Sequence, residues 1–282
     1  MYKIFICANK FQSIAAKVSK NSILNRSNFK SSDIEILLKE DFDFMNKLQN
    51  IDLLRSGEKF RFTENDMQNF TLLRFHVPKL MGYQGRALVI DPDVFQVREG
   101  ISDLFNLPSQ EFAIHSREGK KRGYWSSSVM LLNNKKLKHW NLEDLIYRMH
   151  KEEIDYQDLI SLKNEKSICP IRSIWNEYDD IKPETIFLHT TEKITQPWRK
   201  GLKLDSSIPK IFGLIPREKI YKFFGKDLMT GREHPRKIVS DFFFAELADC
   251  YKKNLITDSE LKDAISQGLI RKDIYKKLRL SH

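Results

Sequence analysis

The sequence predicts an α/β protein that opens on a βαβ unit and ends in a helical region, and three features predict it. Ala87-Leu88-Val89-Ile90 is a short uninterrupted apolar run that follows Gly85-Arg86 and ends in Asp91-Pro92-Asp93. Bounded by such turn signals, the run reads as a strand buried on both faces. Residues 2–8, 12–24 and 33–38 read as strand, helix and strand, the order in which a nucleotide-binding βαβ unit begins. Beyond Pro216 the apolar spacing turns helical, over residues 220–224, 236–253, 258–266 and 271–278.

Asp91 and Asp93 fall at the carboxyl end of the apolar strand, where open α/β sheets bind ligands. Two carboxylates one residue apart repel each other unless a cation or a proton joins them. Hard oxygen ligands suit Mg²⁺ or Mn²⁺, whose remaining positions nucleotide phosphates can fill. The spacing alone is a weak motif, since Asp41-Phe42-Asp43 repeats it. That copy is cut off from Ile36-Leu37-Leu38 by Lys39-Glu40 and reads as a solvated loop.

Length and composition bound the rest. The 282 residues, 41% hydrophobic and 11% aromatic, allow one large domain with an appendage or two smaller ones. No apolar run approaches the roughly 18–20 residues of a membrane span. Residues 1–8 are too short for a signal-peptide core, so a cytoplasmic location is the expectation. Cys7, Cys169 and Cys250 are far apart and odd in number, which supports neither a zinc site nor a disulfide framework and predicts buried free thiols. A formal charge of +10 implies attraction to an anion such as a nucleotide phosphate. No helix-turn-helix, zinc-finger or RNP-type signature accompanies it, so a specific nucleic-acid partner is not expected. The first strand lacks a following GxGxxG, which argues against a dinucleotide fold.

The surroundings of Asp91 and Asp93 carry a resemblance. Arg74-Phe75-His76-Val77-Pro78, then Gly82-Tyr83-Gln84-Gly85-Arg86-Ala87-Leu88-Val89-Ile90-Asp91-Pro92-Asp93, is similar to the nucleotide-sugar region of GT-A glycosyltransferases. The likeness is to the retaining group of glycosyltransferase family 8, with glycogenins and bacterial lipopolysaccharide galactosyltransferases. It extends over residues 2–200 in four ordered blocks, the others being residues 125–133, Gln157-Asp158 and residues 189–198. The resemblance implies a GT-A fold, a Rossmann-like mixed sheet flanked by helices, over residues 1–205. Residues 206–282 would form a helical C-terminal extension packed on it. It also implies metal-dependent, retaining transfer of a sugar from a nucleotide sugar, a UDP-sugar first, to a glycan, lipid or protein acceptor.

Taken in order, the resemblance assigns base and ribose contacts to Ala8, Asn9 and Lys10, in the loop after the first strand. Residues 70–80 read as a helix ended or kinked near Pro78, projecting Arg74 toward a diphosphate or toward the paired Asp residues; a surface Arg pair is the bland alternative. Asp91, Pro92 and Asp93 would face the donor. Residues 101–106 resemble the short helix after that motif, and residues 112–115 read as a further strand. Tyr124-Trp125-Ser126-Ser127-Ser128-Val129-Met130-Leu131-Leu132-Asn133 is similar to the family's strand with Asn-Ser-Gly, which places Ser127 at the donor; Ser126 and Ser128 replace the Asn and the Gly. Asn133 would position the strand end or start the helix over residues 142–149. Tyr156-Gln157-Asp158 falls where the family has Asp-Gln-Asp, which makes Gln157 and Asp158 the candidate catalytic residues; a capping loop is the alternative. Trp175-Asn176 matches a chiefly structural Trp-Asn pair.

Residues 185–188 read as a strand that runs into His189. A lone His there is more often a satisfied core residue than a ligand. The family pattern of His, then Pro-Trp, covers His189, Pro197 and Trp198 and makes His189 the third metal ligand beside Asp91 and Asp93, for Mn²⁺ or Mg²⁺. Gln196 stands where the family has a phosphate-binding Lys, and Lys193, Arg199 or Lys200 are the alternatives for that cation. In the tail, residues 209–215 read as a strand or loop, Asp258 as a helix cap and Gly268 as a stop. Ile238-Val239-Phe242-Phe243-Leu247-Tyr251 reads as a packing face. Lys276-Lys277-Leu278-Arg279 reads as a solvated end, with peripheral contact to an anionic bilayer the alternative. Three rivals to a transferase remain: a sugar nucleotidyltransferase, a non-enzymatic nucleotide-sugar-binding protein on the same fold, and a basic nucleic-acid-binding module.

Overall fold

A computed structural model describes residues 2–64, 66–108, 110–203 and 230–278. Contacts divide the chain into two compact units, residues 1–177 with 182–189, and residues 178–181 with 190–282. The first unit is built on strands β1 (Tyr2–Ala8), β2 (Ile34–Leu38), β3 (Asp52–Arg55), β4 (Glu58–Arg61), β5 (Arg86–Ile90), β6 (Val94–Gln96), β7 (Ile114–Glu118), β8 (Trp125–Asn133), β9 (Ile168–Pro170), the first residue of β10 (Glu177–Tyr178) and β11 (Phe187–His189). Its helices are α1 (Ser13–Leu24), α2 (Asp43–Asn46), α3 (Val77–Leu80), α4 (Ile101–Phe105), α5 (Leu142–His150) and α6 (Tyr156–Ile160).

The main sheet has the order β2-β1-β5-β8-β7-β9. β1 pairs in parallel with β2 and β5, whereas β8 runs antiparallel to both β5 and β7. That reversal matters for the site: the amino end of β8 lies beside the carboxyl end of β5, with Val129 opposite Ile90. Side chains alternate across a strand, and both faces are covered. Phe5, Cys7, Ala87, Val89, Met130 and Leu132 pack with Leu73, Phe75, Trp140 and Met149. Ile4, Ile6, Leu88, Ile90, Val129 and Leu131 pack with Ala16, Ile23, Leu104 and Phe187. This is why β5 reads as a continuous apolar run. A second sheet, β10-β11-β6, pairs His189 with Val94.

The second unit contains α7 (Lys237–Lys252), α8 (Asp258–Ser266) and α9 (Ile274–Leu278). Trp198 stacks on Phe243 of α7 with ring centroids 4.8 Å apart. Arg271 is fully buried; its guanidinium donates to both carboxylate oxygens of Glu233 (2.9 and 3.0 Å) and of Asp273 (2.5 and 2.8 Å), and to Pro197 O (3.1 Å). Gly231 passes so close to Arg199 that a Cβ would fall 2.0 Å from its carbonyl oxygen, so only glycine fits. Among the described residues no helix is long and apolar enough to cross a membrane.

Several local expectations change. Residues 71–76 form 3₁₀ turns and only Val77–Leu80 is α-helical. Pro78 sits in the first turn of α3, where its missing N–H has no intrahelical partner to lose, so it starts the helix. Asn133 ends β8 by donating to Ala113 O (2.8 Å); α5 is capped by Asn141 instead. The cap of α8 is Thr257, not Asp258, because Thr257 and Glu260 exchange the bonds of a capping box. Gly268, at φ +67°, follows the end of that helix. On α7 the buried face is Val239, Phe243, Phe244, Leu247 and Cys250, and Ile238 is exposed. The expected strands at 112–115 and 185–188 are shifted to β7 and β11, and the expected helix at 271–278 is confined to α9. Cys7 and Cys250 are buried free thiols, but Cys169 is half-exposed. Asp41 and Asp43 are exposed, on a 3₁₀ turn and the start of α2. The expected elements at 209–215 and 220–224, and Arg279, lie outside the described residues.

Two stability predictions follow from this core. Leu88 is fully buried at the centre of the sheet, so Leu88→Ala should lower unfolding free energy by about 2–5 kcal/mol in urea melts. His115 on β7 is buried with Nε2 lacking a hydrogen-bond partner. Burial, reinforced by the Arg86 guanidinium, pushes its pKa down to about 4. The unfolded chain takes up this proton near the ordinary value of about 6.5, the folded chain only near the lower one, so stability should fall as pH drops through that window. Urea melts across it should show a shallower slope for His115→Gln; an unchanged slope would remove His115 from the account.

Candidate functional site

Asp91 stands one residue past β5, held in the sheet by its backbone N–H donating to Ser128 O (3.0 Å). Asp93 immediately precedes β6, and the pairing of β6 with β11 brings His189 opposite Val94. One ligand atom each from Asp91, Asp93 and His189 lies within 4.8 Å of the others, and all three side chains are largely buried. His189 Nε2 is 3.4 Å from Asp93 Oδ1. Two carboxylate oxygens and an imidazole nitrogen are a donor set that fits Mn²⁺ or Mg²⁺.

Arg74 enters from the 3₁₀ segment 71–76. Its Nε and Nη2 donate to the two oxygens of Asp91 at 2.9 and 2.6 Å, and its Nη1 donates to Ser127 Oγ at 2.6 Å. Ser127 Oγ in turn donates to Ile160 O of α6 (2.5 Å). Burial raises the Asp91 pKa above the ordinary carboxylate value, and the charge of Arg74 opposes that rise. Burial also pushes the Cys7 thiol up, so it stays neutral beneath the site. Asp91 thus has its own cationic partner, while Asp93 lies beside the His189 ring.

The remaining sequence-designated residues fall as follows. Ala8 and Asn9 are fully buried, and Asn9 turns its amide nitrogen to Asn69 Oδ1 (2.8 Å) and Met67 O (3.2 Å). Pro92 is buried between the two carboxylates. Gln157 and Asp158 are half-buried on α6, whose cap is Asp155, and Asp158 is paired with Lys163 at 2.6 Å. Tyr156 is buried, with its hydroxyl 2.6 Å from Thr71 Oγ1 and the Arg55 guanidinium 4.9 Å from its ring centroid. Lys193, Gln196 and Arg199 belong to the second unit, where Gln196 Nε2 donates to Thr190 O (3.0 Å). Sequence reasoning missed a role for Asn176, which contacts His189, Ser126 and Ser128 at once. Its only sequence signal was the Trp175-Asn176 pair.

No protein-family model matches the sequence, and no curated protein matches it. Solved structures do match. The bifunctional glycosyltransferase WbbM, in its apo form, aligns with a TM-score of 0.54 at 11% identity, over 98% of this chain and 51% of that one. The glycosyltransferase GlyE of Streptococcus pneumoniae TIGR4 aligns at 0.52 with 13% identity, over 90% and 65%. An active-site mutant of LgtC aligns at 0.50 with 14% identity, over 70% and 89%. This chain therefore spans about half the length of WbbM and under two thirds of GlyE. These neighbours are GT-A glycosyltransferases, and the mixed α/β fold described above matches theirs; a helical carboxyl-terminal segment is also present in this chain.

The Arg74–Asp91 pair generates a direct prediction. Arg74→Met leaves a buried carboxylate without its cation and should cost about 3–5 kcal/mol in urea melts. Adding Asp91→Asn should recover a good part of that loss, since neighbouring substitutions are not additive. Additive losses would mean the two side chains do not interact in solution.

Proposed function

We propose that this chain is a metal-dependent, retaining glycosyltransferase that moves a sugar from a nucleotide sugar, a UDP-sugar first, to a glycan, lipid-linked or protein acceptor. The observation that carries the reading is the convergence of Asp91, Asp93 and His189 at the carboxyl end of β5, in a fold shared with glycosyltransferases. In this reading those three residues hold Mn²⁺ or Mg²⁺, which supplies charge neutralisation to a departing diphosphate. Arg74 fixes the Asp91 carboxylate, and Ser127 fixes Arg74 and links it to α6. Gln157 and Asp158 on α6 are proposed as the residues facing the reacting sugar, with the loop that starts at Ala8 and Asn9 on the base and ribose side and Pro92 beside the donor. Lys193 and Gln196 are proposed for the diphosphate.

Isothermal titration with UDP, with and without Mn²⁺, tests this reading. Mn²⁺-dependent UDP binding that Asp93→Ala abolishes is the expected result, followed by slow hydrolysis of one UDP-sugar by the wild-type protein. If UDP, GDP, CMP and dTDP all fail to bind with metal present, the transferase reading is wrong.

A further inference from the structure

Asn176 sits at the centre of a closed hydrogen-bond set behind His189. Its carboxamide oxygen is 2.9 Å from His189 Nδ1, and its amide nitrogen lies 3.0 Å from Ser126 Oγ and 3.1 Å from Ser128 Oγ. The two hydroxyls are themselves 2.7 Å apart. Asn176 is fully buried, and Arg117 Nη1 donates to its backbone carbonyl.

Proton counting decides which way this amide points. With the nitrogen toward the serines, the NH₂ group gives one hydrogen to each hydroxyl, and one hydroxyl gives its own to the other. All three contacts are then satisfied. With the amide reversed, the serine pair and the two serine–oxygen contacts would need three hydrogens, and two hydroxyls supply only two. The oxygen must therefore face His189, and a carbonyl oxygen only accepts. The neutral His189 ring then carries its proton on Nδ1, which leaves the Nε2 lone pair toward Asp93.

We propose that Asn176, held by Ser126 and Ser128, is the positioning residue that fixes His189 as the Nδ1–H tautomer and keeps Nε2 available as a ligand. The proposal rests on reading Asp91, Asp93 and His189 as a metal site, and it assigns the two seryl hydroxyls a supporting role behind that site. An outer partner on the far nitrogen of a ligating His sets its tautomer and ring orientation. Ser126 and Ser128 stand where the resembled family has Asn and Gly, so the clamp is a property of this chain's own sequence.

The tautomer is read on metal-free protein by long-range ¹H–¹⁵N correlation of the His189 ring, well above the ordinary imidazole pKa. The expected result is a protonated, pyrrole-type Nδ1 and a pyridine-type Nε2 in the wild type. Asn176→Leu should shift the population toward Nε2–H and weaken Mn²⁺ binding by about 10–100-fold. Asn176→Asp, whose carboxylate also accepts from Nδ1–H, should keep the tautomer. Should Asn176→Leu fail to fold, Ser126→Ala/Ser128→Ala frees the amide to rotate and should lower the Nδ1–H population. A wild-type ring protonated on Nε2, or an unchanged tautomer in the folded Asn176→Leu or double-serine variant, overturns the inference. Failure of the wild type to bind Mn²⁺ would sink the metal reading alone, because the tautomer is measured without metal.

Discussion

The constraint on which the rest of the site depends is the burial of a carboxylate at the end of a strand that is apolar on both faces. Asp91 follows four residues with no solvent exposure, and a charge there is costly unless it is paired and hydrogen-bonded. Arg74 supplies both oxygens of Asp91 with a donor, which its planar fork can do and a lysine cannot. The third arm of the same guanidinium is anchored by Ser127, and Ser127 is anchored by α6. One ion pair thus ties β5, β8, the 71–76 segment and α6 into a single polar junction inside an apolar layer.

The direction of β8 is what makes that junction compact. Because β8 runs antiparallel to β5, its first residues arrive where β5 ends. Successive residues of a strand face opposite ways, so Ser127 turns to Arg74 while Ser126 and Ser128 turn to Asn176. The same short stretch therefore braces the two sides of the ligand cluster, Asp91 through Arg74 and His189 through Asn176. Three consecutive serines are an economical way to do this, since a hydroxyl both donates and accepts.

Much of this was legible in the sequence because it depends on local pattern. The buried run Ala87 to Ile90, the opening strand–helix–strand and the amphipathic α7 each declare themselves by periodicity. The convergence of Asp91, Asp93 and His189 was reached through resemblance, since no spacing rule joins residues that far apart. What stayed hidden depends on tertiary partners. The Thr71–His76 segment carries a helical apolar pattern but is wound as 3₁₀ turns, bonded to Tyr156 through Thr71 and to Asp91 through Arg74. Thr257 outcompetes Asp258 as a cap only because Glu260 reaches back to it. Asn176 looks like a structural residue in the sequence, and its contacts with Ser126, Ser128 and His189 exist only once β8 and β11 are in place.

The antiparallel pairing of β6 with β11 has a kinetic consequence. It joins His189 to Val94 across about a hundred residues of intervening chain, so the ligand cluster cannot exist until that long loop has closed. Closing such a loop loses entropy before any contact rewards it, so this pairing carries a larger closure cost than the short-range Arg74–Asp91 contact. During synthesis Asp91 and Asp93 emerge early and must wait for their third partner. The Arg74–Asp91 pair, formed from residues close in sequence, can neutralise one carboxylate during that interval and keep the nascent sheet from carrying two bare charges.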